Sequence, residues 1–175
     1  EGNWLSGKKR KVLILSFEEY YTKEALRIFT KKGKIEKLKE MDMYKEDIHF
    51  NKLILSLWVL SSENRHFWKH HFLGTQGIIL IFAFRNDRID PNIKNEVLNI
   101  MHDVFLADTP ILVLYDINEK RLQEEMNFEL FHVHQKENKK FDKLWIENID
   151  FTKPLAEVQP GLKWLCQQMR LVSMG

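Results

Sequence analysis

Three groups of side chains have the types and spacing for chemistry. His66 and His70 stand four residues apart, with His71 beside the second. On a helix that spacing puts two imidazoles on one face, as in a zinc pair. A site needs further ligands, and no cysteine or acidic partner completes a set nearby, so they read as surface histidines and no metal is expected. His132 and His134 lie near an expected helix end, where a cation suits the helix dipole. Cys166 sits beside Trp164 and Leu165 and reads as a buried apolar residue, not a nucleophile. No Ser-His-Asp arrangement is visible in the spacing. Phosphate chemistry would need a loop of the form G-x-x-x-x-G-K-[ST], whose glycines let backbone N–H groups wrap the anion. No glycine occurs between Lys8 and Lys32.

Composition narrows the classes. The chain has 175 residues, 44% of them hydrophobic, and a formal net charge of +2. That is one domain with a proper core, over 1–175, with a basic lead-in over 1–10. The charge gives no global push toward nucleic acid or an anionic membrane. The basic runs at Lys8 to Lys11 and Lys139-Lys140 lack the interleaved aromatics of a nucleic-acid platform. A single cysteine argues for an intracellular, reducing compartment. No apolar run is long enough to span a membrane. Gly2 with Ser6 has the spacing of a myristoylation signal, with a basic patch behind it, but Gly2 follows Glu1, so the motif fails as written. Membrane-surface contact through the N-terminus stays an alternative. The missing initiator methionine would also suit a processed presequence and a mitochondrial location.

The elements that must position any site are organised around Ile78 to Phe84, a short, β-branched and aromatic run. It reads as the doubly buried central strand of a parallel sheet. Lys11 to Phe17 reads as the first strand, followed by a helix from about Glu18 to Thr30 with Leu26 and Phe29 on one face. Residues 31 to 47 read as charged loop with a possible edge strand or helical turn. Ile48 to Leu60 holds a second hydrophobic strand. Residues 61 to 67 read as polar loop and Trp68 to Phe72 as a short helix. Pro91 opens a helix expected to run to about Ala107, with Ile93, Val97, Ile100, Met101 and Val104 on one stripe. Pro110 to Tyr115 is a buried strand, Glu119 to His134 a helix, Lys143 to Ile146 a strand, and Leu162 to about Leu171 the last helix. The alternation predicts an α/β fold: a doubly wound, mostly parallel six-stranded sheet with helices on both faces. Ligands in such sheets sit at the carboxyl ends of the strands, here the loops after Phe17, Leu60, Phe84, Tyr115 and Glu147.

The segment Trp68-Lys69-His70-His71-Phe72-Leu73-Gly74-Thr75-Gln76-Gly77, then a strand, then Asn86-Asp87-Arg88, resembles the ADP-ribosylation factor-like (Arf/Arl) branch of the small GTPases. There W-R-H-Y-F-x-x-T-Q-G leads into the fourth strand and N-D-R follows it. Trp58 fits the Trp before the family's D-V-G-G element, Pro110 to Leu114 the strand before the guanine motif, and Gly161-Leu162-Lys163-Trp164-Leu165 the G-L-x-W-L of the last helix. The resemblance covers nearly the whole domain and is strongest from Trp68 to Arg88. It implies a small-GTPase-like P-loop fold.

By the same resemblance, the nucleotide motifs are degenerate. The P-loop is replaced by Ser16-Phe17-Glu18-Glu19-Tyr20-Tyr21-Thr22-Lys23. Thr22 stands where the phosphate lysine belongs and Lys23 where the Mg²⁺-binding hydroxyl belongs. Tyr20 and Tyr21 would occupy the phosphate position, and Glu18 and Glu19 would repel a polyphosphate. The first switch needs a Thr, but Lys31 to Leu60 contains none, and Glu40 falls near its place. The D-x-x-G element reads Val59-Leu60-Ser61-Ser62-Glu63, with Glu63 near the catalytic Gln position. The guanine motif N-K-x-D reads Asp116-Ile117-Asn118-Glu119, and the S-A element gives way to Asp150-Phe151-Thr152-Lys153.

Five losses together predict a pseudo-GTPase that binds no nucleotide cofactor and catalyses nothing. Phe17, Tyr20, Tyr21 and Phe151 are expected to fill the vacated space. The role left is that of a structural subunit or adaptor within a larger protein assembly, without nucleic acid. The resemblance places partner contact at an aromatic triad whose matching positions are Met43, Trp58 and His71. The alternatives are a divergent GTP-binding switch using Lys23 and Glu119, and a lipid-anchored recruitment module.

Overall fold

The computed structural model describes residues 9–30, 43–83, 90–116, 142–151 and 158–174. Six strands form one sheet: β1 (Lys9–Ser16), β2 (Met43–Phe50), β3 (Leu53–Leu60), β4 (Gly77–Ala83), β5 (Ile111–Asp116) and β6 (Leu144–Asn148). Their order is β2-β3-β1-β4-β5-β6. Every pairing is parallel except the antiparallel β2–β3 hairpin. β4 lies inside the sheet between β1 and β5, and all seven of its residues are buried. A strand covered on both faces has no polar side to present, which is why its sequence runs unbroken from Ile78 to Phe82.

The helices cover both faces. α1 (Glu19–Phe29) and α3 (Gln159–Met174) pack on one side, with Leu26, Phe29, Leu162, Leu165 and Met169 against Val12, Ile14, Leu57 and Leu112. α2 (Pro91–Met101) and a 3₁₀ segment, Ser62–His71, cover the other side, with Val97, Ile100, Trp68 and Phe72 against Leu13, Leu15, Ile78 and Leu80. Alternate residues of each strand feed the two cores, as a pleated sheet requires. α3 comes very close to β5. A Cβ placed on Gly161 would lie 2.8 Å from Leu112 Cδ1 and 2.9 Å from Glu147 Oε2. Gly77 makes the same allowance for Met169, whose Sδ would lie 2.8 Å away.

Several sequence expectations change. The strand expected within Ile48 to Leu60 is β3, Leu53–Leu60, while Ile48 to Phe50 belong to β2. Asn51 and Lys52 turn the chain with φ of 50° and 65°, making a two-residue hairpin. Such turns favour Asn-Gly, and lysine in the second place hid the signal. Of the edge strand or helical turn left open over 31–47, the described part forms an edge strand, Met43–Phe50. α2 begins at Pro91, with Asp90 Oδ1 accepting from Asn92 N at 2.9 Å. It stops at Met101, short of Ala107. Asp103 then caps a separate 3₁₀ turn, Val104–Leu106, by accepting from Phe105 N at 2.9 Å, so Val104 leaves the stripe and is exposed. The expected polar loop 61–67 is part of the 3₁₀ segment. α3 is longer than expected at both ends. The helix expected over Glu119 to His134 lies outside the described residues.

Candidate functional site

The residues that the sequence resemblance matches to the phosphate, guanine and S-A elements lie at or just after the carboxyl ends of β1, β5 and β6. β1 ends at Ser16 and α1 starts at Glu19, so only Phe17 and Glu18 connect strand to helix. The link is tied to itself. Ser16 Oγ donates to Glu18 O at 2.8 Å and accepts from Glu18 N at 3.3 Å. Thr22, also buried, donates from both its amide and its hydroxyl to the same carbonyl, at 3.1 and 3.2 Å. Glu18 and Glu19 stand at the helix start, where their charge suits the positive end of the dipole.

Tyr21 is 7% exposed and reaches across this space. Its hydroxyl donates to Asp116 Oδ2 at the end of β5, 3.1 Å away. Its ring meets Phe151 edge-on, with centroids 5.0 Å apart. Arg27 of α1 donates to the Phe151 carbonyl and closes the arrangement from below. Burial, and then the neighbouring Asp116 charge, raise the Tyr21 phenol well above its ordinary pKa, so it stays a neutral donor.

The four aromatics expected to act together do not. Tyr21 and Phe151 share one core. Phe17 turns to the opposite face and packs edge-on against Trp68 at 5.3 Å. Tyr20 is 56% exposed and touches Tyr21 from outside. The reason is helical geometry: adjacent residues on α1 point about 100° apart, so only one of the two tyrosines can turn inward. Lys23 lies along α1, ion-paired to Glu19 at 3.4 Å. Glu119 and Glu40 lie outside the described residues.

Glu63 follows β3 in the 3₁₀ segment, where its amide donates to Ser61 Oγ at 3.3 Å. It borders an open groove of about 610 Å³ between the 3₁₀ segment and α2, floored by Trp68 and Phe72. Across the groove Arg65 pairs with Glu96 at 3.3 Å. His66 and His70 both contact the exposed ring of Phe67, at 4.2 and 5.6 Å. Among the described residues no group of three or more His, Cys, Asp or Glu could hold a metal ion. Cys166 is buried, and burial pushes its thiol up to about 11 against an opposing effect of Arg170.

Of the expected partner-binding residues, Trp58 and His71 meet edge-on at 5.8 Å. Met43 pairs with Leu60, one step along the same face of the hairpin from the Lys45–Trp58 pair. Sequence reasoning missed two lysines here. Lys11 Nζ lies 4.2 Å and Lys45 Nζ 3.7 Å from the centre of a Trp58 ring. Both are placed by strand pairing, which is invisible until β2 and β1 are known to flank β3.

No described helix is long and apolar enough to cross a membrane. No curated protein matches the chain. The family model described as the ADP-ribosylation factor family matches residues 4–169. With a strand order, a helix placement and a T-Q-G segment that all agree with this match, the chain belongs to the ADP-ribosylation factor family of small GTPases.

Proposed function

We propose that this chain is a non-catalytic member of its family, a pseudo-GTPase that serves as a structural subunit or protein adaptor without bound nucleotide. The observation that carries the reading is the Tyr21 bridge. One side chain from the start of α1 binds Asp116 at the end of β5 and Phe151 after β6. It takes up the space where a family member would place a ligand. The positions Ser16, Thr22 and Lys23 are spent on the chain's own backbone or on Glu19. In an active relative the ligand stabilises the loops by mass action. Here internal packing supplies that support, and with no ligand to bias a second state the domain keeps one conformation. The hairpin face around Met43, Trp58 and His71 is the docking surface in this reading.

The test is nucleotide content. The natively purified protein is denatured, and released guanine and adenine nucleotides are quantified per chain by chromatography. The expected result is none, together with no binding of a fluorescent GTP analogue. Stoichiometric GTP or GDP would overturn the proposal and favour a divergent switch in which Tyr21 swings away from Asp116.

A further inference from the structure

The Trp58 face carries an unusual charge arrangement. Along one side of the hairpin, β2 presents Met43, Lys45, Asp47 and His49, and β3 presents Ser56, Trp58 and Leu60. Lys11 joins them from β1. Asp47 is already neutralised by Lys9, at 2.9 Å. No described carboxylate pairs with Lys11 or Lys45. Both ammonium groups lie against the same indole, and Lys11 is held there by donating to the His71 carbonyl at 2.8 Å. Burial, and then the nearby Lys45, lower the Lys11 pKa. Burial, followed by Lys11, His70 and Lys45, likewise lowers that of His71. Among the described residues, positive charge is thus concentrated without a paired carboxylate, beside a half-buried Trp and a partly buried Met.

We propose that this face docks an acidic segment of a partner protein, with a carboxylate received by Lys11 and Lys45 and an apolar side chain seated against Trp58 and Met43. The inference rests on the adaptor reading and names the chemistry of its partner. Charge complementarity selects the occupant. A nucleic acid would need a longer cationic track than Lys11 and Lys45 provide. An anionic membrane surface calls for a larger cluster of cations than two lysines. A half-buried Trp beside two cations has the make-up of a protein-interface anchor.

The experiment is zero-length carbodiimide crosslinking of the native complex, which joins an amine only to a carboxylate in contact with it. Linked peptides are identified by mass spectrometry. The expected result is Lys45 or Lys11 joined to an Asp or Glu of another polypeptide. The identified partner is then titrated against purified variants. Lys45 is exposed, so Lys45→Glu folds, and it is expected to weaken binding about thirtyfold or more. Lys163→Glu, on the exposed side of α3, leaves binding unchanged. Crosslinks that arise only from other faces would overturn the inference while leaving the adaptor reading intact. So would binding to phosphatidylserine vesicles that Lys45→Glu abolishes while partner capture persists. Bound nucleotide with no intermolecular crosslink would remove both.

Discussion

Replacing Tyr21 separates the two parts of its bridge. Tyr21→Phe keeps the ring on Phe151 and deletes the bond to Asp116. That carboxylate is only partly buried and regains water, so the loss sits at the low end for a charged hydrogen bond, about 1–1.5 kcal/mol. Tyr21→Ala also removes a ring that is 7% exposed, and an aromatic truncation of that kind costs about 3–5 kcal/mol. For a chain of 175 residues this lowers Tm by roughly 6–20 °C. Urea unfolding of wild type and both variants, with matched slopes, measures the two steps. The phenol supplies a pH signature as well. Its folded pKa lies above the ordinary value of 10.0, so the stabilisation is complete below pH 10 and is lost as pH rises through the folded value. The gap between wild type and Tyr21→Phe therefore holds up to about pH 10 and narrows only above it. If Tyr21→Ala lies within 0.5 kcal/mol of wild type, the idea that this ring replaces a ligand's support fails.

Three further outcomes follow from packing and burial. Lys143 is 1% exposed and donates to the Leu106 and Ala107 carbonyls, so Lys143→Met leaves buried acceptors without their donor and costs about 2–3 kcal/mol by urea unfolding. Gly161→Ala is destabilising by about 1–3 kcal/mol in spite of alanine's helix preference, because its methyl meets Leu112 and Glu147; thermal melts of the variant check this. Cys166, with its thiol pushed up to about 11 and no solvent access, stays unlabelled by a thiol reagent at pH 8 until the domain unfolds; labelling faster than unfolding would contradict its place in the core.

Much of the fold could be read from the chain alone. Ile78 to Phe82 and Ile111 to Leu114 are unbroken apolar runs, and only strands buried on both faces read that way. Pro91 marks a helix start through its preset φ, and the helix begins there. The hairpin turn was hidden because Lys52 adopts a positive φ without being glycine. The buried Lys143 was equally hidden, since its partners are backbone carbonyls thirty-odd residues away. For the site, the sequence by itself determined that the stretch after the first strand carries no G-x-x-x-x-G-K-[ST] motif, since no glycine occurs between Lys8 and Lys32. Which tyrosine turns inward, that Asp116 receives it, and that two lysines bracket Trp58 were decided only by the tertiary structure. Those contacts join residues far apart in the chain, and they depend on helix phase and strand register, which the packing of the whole sheet sets.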